Sequence, residues 1–268
     1  MNNETTLITD ASSGLGMHLA YEFARNGHPL VLTAPDETEL QSVAAEIRAT
    51  HGVVVQILPG DLADSETAER LFGRLQRAGM VIEILVNNAG HWSRGKWAEM
   101  PMEQDLAMIR QNIEAVLRMT KLFLPPMLAC GRGRVLTTAW AVGLEPGPLL
   151  AVYQATKAFV LSWSEVLATE LADTPITVAA LCSGPTDPEL PPKARVMTPQ
   201  DVAKAGYAGL MKKERVIALG GMDKALVGAW RILPAGTQAG LHERFCGEVT
   251  DDEARRIPAE SVAAAANW

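Results

Sequence analysis

The sequence has few cysteines, no basic cluster and no long apolar run, and each shortage closes a class of explanation. Cys130, Cys182 and Cys246 are odd in number, far apart and form no Cys-x-x-Cys pair. A disulfide framework is therefore excluded, and free thiols in a reducing compartment are expected, each packed as a small buried hydrophobe. The five histidines, His18, His91 and His242 among them, show no metal-ligand spacing, so no metal site is expected. With 24 Lys and Arg against 31 Asp and Glu, the net charge of −7 argues against a nucleic-acid partner. No stretch reaches the roughly 18 apolar residues of a spanning helix. The amino terminus, MNNETTLITD, enters a strand without a basic leader. The expectation is a soluble, cytoplasmic protein with no membrane span.

What is present is a sizeable apolar fraction, 48% of 268 residues, enough for one α/β domain with a large core. The pattern alternates strands and helices. Thr5 to Thr9 reads as a buried strand, and Asp10-Ala-Ser12-Ser13-Gly14-Leu15-Gly16 turns into a helix with Leu19 and Phe23 on its apolar face. A glycine turn ahead of a helix N-terminus leaves backbone N–H groups and the helix dipole facing an anion such as a phosphate. Strands at 29–33 and 53–59 follow, with a helix at 37–49 between them. Ile84 to Val86 ends in Asn87-Asn88-Ala89-Gly90. One long helix is expected from about Glu103 to Leu128, carrying Asn112. Further strands are expected at 134–138, 176–182 and 216–219, and helices at 199–211 and 224–233. Such alternation indicates a doubly wound parallel sheet of about seven strands with helices on both faces. Residues 1–250 are expected to form a single domain, with 183–199 as a lid loop over the substrate and 251–268 as a tail.

The chemistry gathers between Arg134 and Leu171. A strand crosses Gly143, Pro146, Gly147 and Pro148 into an amphipathic helix whose first turns carry Tyr153 and Lys157, four residues apart and so on one face. An ammonium that close to a phenol stabilises the phenolate and draws its pKa down from about 10. Tyr-x-x-x-Lys alone also occurs as a surface pair, so its weight comes from the strand and turn before it.

With these motifs in this order, the chain resembles the short-chain dehydrogenase/reductase family over about Thr5 to Phe245. The branch it is most similar to reads P-G-P-L-x-A-V-Y-x-A-T-K-A along the active-site helix. The resemblance implies a Rossmann-like fold and hydride transfer between NAD(P)(H) and a small-molecule alcohol or carbonyl, here an apolar one. It implies Tyr153 as general acid or base, and Lys157 as the group that binds the nicotinamide ribose and lowers the pKa of the tyrosine. Asn112 would hold a water linking Lys157 to solvent. Thr9, Asp10, Ser12, Ser13, Gly14, Leu15 and Gly16 would line the cofactor turn. Asp61 with Leu62 would meet the adenine, Asn88, Ala89 and Gly90 would flank the ribose, and Gly184 with Thr186 would lie near the nicotinamide amide. Each has an ordinary alternative: Asp61 as a cap, the asparagines as turn formers, Asn112 as a surface amide. In relatives the long helices pair between subunits, which implies a homodimer or homotetramer through Leu117, Leu122, Phe159, Leu161, Val166 and Leu167.

The departures from the family pattern fall on chemistry. Trp140 stands where the family has its serine, thirteen residues before Tyr153. Losing one such donor to the reacting oxygen costs about 10²–10³ in rate. Thr138 on the same strand face and the Trp140 indole N–H are the candidate replacements, and Trp92, Trp97 and Trp140 are expected to border an apolar substrate pocket. Asp10 replaces the first glycine of the turn. After the second strand Ala34-Pro35-Asp36 carries no arginine, a pattern that favours NAD(H) over a 2′-phosphorylated cofactor. Two function classes follow: a working oxidoreductase, or a dehydrogenase-like binding or scaffold subunit that has lost hydride transfer.

Overall fold

Seven strands hydrogen-bond side by side, all parallel, in the order β3-β2-β1-β4-β5-β6-β7 in the computed structural model, which describes residues 4–140, 149–183 and 198–218. In chain order the elements are β1 (Thr6–Thr9), α1 (Gly14–Arg25), β2 (Leu30–Thr33), α2 (Glu37–His51), β3 (Val55–Ile57), α3 (Thr67–Arg77) and β4 (Ile84–Asn87). There follow a 3₁₀ turn (Trp97–Glu99), α4 (Met102–Ile109), a π turn (Arg110–Glu114), α5 (Ala115–Ala129), β5 (Gly133–Trp140), α6 (Ala151–Glu170), β6 (Ile176–Ser183), α7 (Pro199–Met211) and β7 (Val216–Ala218).

Successive strand side chains point to opposite faces, and here both faces are apolar. Ile8, Leu32, Val86, Leu136 and Leu181 pack on one side against Leu19 and Phe23 of α1, Leu40 and Ile47 of α2, and Val202 and Leu210 of α7. Leu7, Val31, Leu85, Val135 and Val178 pack on the other against Leu71 of α3, Met119 and Phe123 of α5, and Ala168 of α6. Burial on two sides is why the strands read as continuous hydrophobic runs rather than alternating ones.

Chain direction across the sheet reverses between β1 and β4. A crevice opens beyond the carboxyl ends of these two strands, where open α/β sheets hold their ligands. Thr9 and Asn87 end the strands that flank it.

The sequence-based boundaries agree to within a few residues, with two corrections. The long helix expected over 103–128 is interrupted by the π turn, with Asn112 inside it. Cys130, expected to be buried, is exposed at the C-terminal end of α5, whereas Cys182 is buried in β6. Cys246, the helix expected at 224–233, the 251–268 tail, Gly143, the 146–148 turn and nearly all of the 183–199 lid lie outside the described residues. Among the described residues no helix is long and apolar enough to cross a membrane, and no cluster of three or more His, Cys, Asp or Glu residues could hold a metal ion.

Candidate active site

The crevice is built first by polar ties between β1 and β4. The Thr9 hydroxyl accepts the Asn88 and Ala89 N–H groups at 2.9 and 2.8 Å and donates to the Val86 carbonyl at 3.3 Å. The Asn88 amide reaches back to the Thr9 and Asp10 carbonyls at 3.3 and 3.5 Å, and the Asn87 amide donates to the Thr120 hydroxyl of α5 at 3.0 Å. Thr9, Asn87, Asn88, Ala89 and Thr120 are buried. A buried polar group is costly unless paired, so the pairing holds the two strand ends in fixed register.

The turn into α1 is shaped for close approach. A Cβ on Gly16 would stand 1.9 Å from the Asp10 carbonyl oxygen and 2.6 Å from the Asn88 amide nitrogen, so only glycine fits. Ser13 sits at the N-cap in extended backbone, its side chain makes no capping bond, and the first turn carries no acidic residue. The N–H groups of that turn are therefore not satisfied by a cap and suit an anion. Ser12 is half-buried, and Ser13 and Gly14 are exposed. Across the crevice a Cβ on Gly90 would lie 3.2 Å from Lys157 Nζ and 3.4 Å from Asn112 Oδ1, so this glycine leaves a flat floor beside the lysine. An uncapped helix N-terminus and two glycine-lined approaches fit a nicotinamide dinucleotide. Asp61, expected to meet the adenine, accepts the Ala63 N–H at 2.8 Å through its carboxylate in an Asx turn, its ordinary alternative. Leu62 is buried beneath it.

Asn112 is a clamp. Its Oδ1 accepts the His91 N–H at 2.7 Å, and its Nδ2 donates to the His91 carbonyl at 2.9 Å and to the Thr156 hydroxyl at 3.0 Å. Thr156 donates in turn to the Tyr153 carbonyl at 2.7 Å. The Asn112 amide is therefore spent on fixing β4's exit to α6, and a water relay through this residue would have to use its main-chain carbonyl. A second tie, from the Gly95 N–H to the Leu149 carbonyl at 2.9 Å, fastens the same loop to the start of α6, where Leu149 takes a positive φ of 72°. Sequence reasoning missed Thr156, His91 and Leu149. The first is an unremarked threonine, and the other two act through the backbone, which leaves no mark in residue type.

Tyr153 and Lys157 lie in the first two turns of α6. The lysine is buried, with Nζ donating to the Thr138 carbonyl of β5 at 3.2 Å and lying 5.8 Å from the centre of the Tyr153 ring. Desolvation draws its pKa down to about 8, with the Asp10 carboxylate partly opposing the shift. The expectation that the ammonium lowers the tyrosine pKa is corrected here. Desolvation of the phenol itself pushes the Tyr153 pKa up instead. At neutral pH Tyr153 is thus a protonated phenol, one helical turn from a lysine whose pKa is drawn down to about 8.

The remaining expected pocket residues divide. The Thr138 hydroxyl donates to the Asn87 and Asn88 carbonyls at 3.5 and 3.4 Å, so it serves β4 rather than a substrate oxygen, and its contribution to the site is its carbonyl. Trp92 and Trp97 are 42% and 62% exposed, which rules out core packing for either. The Trp140 side chain, Gly184 and Thr186 lie outside the described residues. His91 is exposed, and partial desolvation of its ring lowers its pKa, so it is neutral at pH 7.

Comparison with known proteins agrees with this geometry. The family model for short chain dehydrogenase matches residues 4–197. A very-long-chain 3-oxoacyl-CoA reductase of the fungus Pyrenophora tritici-repentis is 37% identical over 169 residues, 62% of this chain and 50% of its own. The chain thus spans about half the length of such curated relatives. Among solved structures, a short-chain dehydrogenase from Sphingobium yanoikuyae in complex with NADPH is 31% identical, with a TM-score of 0.77 over 92% of this chain and 98% of that one. A bulky-bulky ketone specific alcohol dehydrogenase from Comamonas testosteroni is 27% identical, with a TM-score of 0.77 over 96% and 100% of the two chains. This chain belongs to the short chain dehydrogenase family.

Proposed function

We propose that the protein is a carbonyl reductase that transfers hydride between a nicotinamide dinucleotide and a bulky apolar ketone or secondary alcohol. The observation that carries this reading is the buried Lys157 ammonium, set against the Thr138 carbonyl one turn from Tyr153 at the mouth of the crevice. When bound, the dinucleotide supplies or accepts the hydride. Tyr153, protonated because burial raises its pKa, gives its proton to the oxygen that gains negative charge as the carbonyl is reduced. Lys157, near pH 8, stands ready to restore the charge balance of the phenol. The protonated phenol is the form that carbonyl reduction requires. The bulky-ketone and 3-oxoacyl relatives and the exposed Trp92 and Trp97 support an apolar substrate.

NAD(H) is proposed as the preferred dinucleotide. Residues 34–40 carry Asp36, Glu37 and Glu39 and no basic residue to meet a 2′-phosphate; the NADPH-bound relative supports the opposite preference. A homodimer is proposed through the outer face of α6, where Phe159 and Val166 are 40% and 55% exposed; Leu161, expected on that face, is instead buried in the core. A scaffold without hydride transfer is disfavoured by the intact Tyr153, Lys157 and Asn112 arrangement. The test is turnover of a panel of apolar ketones and 3-oxoacyl thioesters, followed at the nicotinamide absorbance with NADH and with NADPH. Reduction of at least one class supports the reading. No turnover with either cofactor, despite tight binding, refutes it.

A further inference from the structure

The turn between β1 and α1 places an ionisable side chain where a dinucleotide presents its own negative charge. Asp10 takes φ 53°, the left-handed region that glycine enters without cost. Its surroundings hold it there: the Asn88 amide donates to its carbonyl at 3.5 Å, and the missing Cβ of Gly16 makes room for the same carbonyl. The backbone therefore keeps the path that glycine would take, while the side chain adds a carboxylate to the turn that leads into the uncapped α1, within electrostatic reach of both α2 and α6. Two charged groups act on it from the elements around it, Glu39 of α2 repelling and Lys157 of α6 attracting. Burial is the largest influence, and together with the Glu39 repulsion it outweighs the Lys157 attraction and holds the carboxyl up at about 6 instead of 3.8.

We propose that Asp10 is a proton-linked specificity residue of the cofactor crevice: an anionic dinucleotide is taken up together with one proton, which neutralises the Asp10 carboxylate. This inference rests on the dinucleotide-binding reading above. Above its own midpoint the free protein carries a negative Asp10. A diphosphate arriving at the helix N-terminus is a second negative charge at the same turn, and it favours the neutral carboxyl. The proton comes from the buffer, and no bond other than O–H forms. Affinity then falls by about tenfold per pH unit above the free midpoint and levels off below it. The His91 imidazole, its pKa lowered by desolvation, is also titratable, so Asp10 variants are needed to separate the two.

The experiment is calorimetric titration of the full chain with NADH and with NADPH between about pH 5.5 and 8.5, in buffers of different ionisation enthalpy, for wild type, Asp10→Asn and Asp10→Gly. Expected for wild type is a Kd that weakens by about tenfold per unit above roughly pH 6, with uptake approaching one proton. Both variants should lose the wild-type slope between about pH 6 and 7.5 and bind tighter than wild type by about tenfold or more at pH 8, the pH dependence left near 8 being that of Lys157. A wild-type Kd that is flat with pH and releases or takes up no proton overturns the inference while leaving dinucleotide binding intact. So does an Asp10→Asn variant that keeps the wild-type slope. Absence of binding at every pH in all three proteins overturns both readings. Should the variants fail to fold, the wild-type slope and proton uptake decide the matter alone.

Discussion

Lys157 Nζ donates to the carbonyl oxygen of Thr138 at 3.2 Å, which places the one buried ammonium among the described residues against a strand of the sheet rather than against the phenol of Tyr153. The lysine is thereby held at the crevice floor beside Gly90, where an added Cβ would meet it at 3.2 Å. Lys157→Met should lower turnover by about 10² or more. It should leave stability unchanged or raised, since an apolar isostere removes a desolvated charge. The pKa depression from 10.5 to about 8 means the folded state binds fewer protons than the unfolded state across that range. Wild-type stability should therefore rise from about pH 8 towards 10.5, and urea unfolding of Lys157→Met should show no such rise.

Asp10 makes the opposite contribution. Its pKa is raised from 3.8 to about 6, so the folded protein binds more protons than the unfolded chain between these values. Stability due to this group is fully present below about pH 4 and is lost as pH rises past 6, by at most about 3 kcal/mol. Asp10→Asn should be the more stable protein at pH 8, and its advantage should shrink on acidification. Denaturant midpoints at a series of pH values measure it.

Asn112 joins the exit of β4 to α6 through three hydrogen bonds. Asn112→Leu removes the partners of the part-buried His91 N–H and carbonyl and of the buried Thr156 hydroxyl, at a cost of about 1–3 kcal/mol. It should also loosen the loop that carries Trp92. Limited proteolysis within 91–100 should accelerate, and turnover should fall with it.

The two glycines of the crevice should behave differently. Gly16→Ala drives a Cβ into the Asp10 backbone and should fail to fold or lose more than about 4 kcal/mol. Gly90→Ala meets only the far end of the Lys157 side chain and the Asn112 oxygen, at 3.2 and 3.4 Å. It should fold normally, with the lysine displaced and turnover reduced by about tenfold or more. Circular dichroism with steady-state rates separates these outcomes.

Much of this was legible in the sequence, for physical reasons that can be named. Strands buried on both faces are unbroken apolar runs, so β1, β2 and β4 announce themselves. Thr198 followed by Pro199 places the start of α7 at Pro199 because a threonine cap and an N-terminal proline are local signals. The break at Arg110–Glu114 left no such signal, since no glycine or proline marks it and the amide of Asn112 is bonded to distant residues. The charge state of Tyr153 was likewise illegible. Spacing on a helix predicts proximity to Lys157, but burial set the direction of the shift, and burial is a property of the assembled crevice.

The most direct test is single-turnover reduction of a bulky ketone by dinucleotide-loaded wild type and Tyr153→Phe, with cofactor affinity measured on the same samples. Loss of the donor hydroxyl should slow hydride transfer by about 10²–10⁴ while the dinucleotide Kd stays within about twofold. An unchanged rate in Tyr153→Phe would contradict the assignment of this phenol as the proton donor.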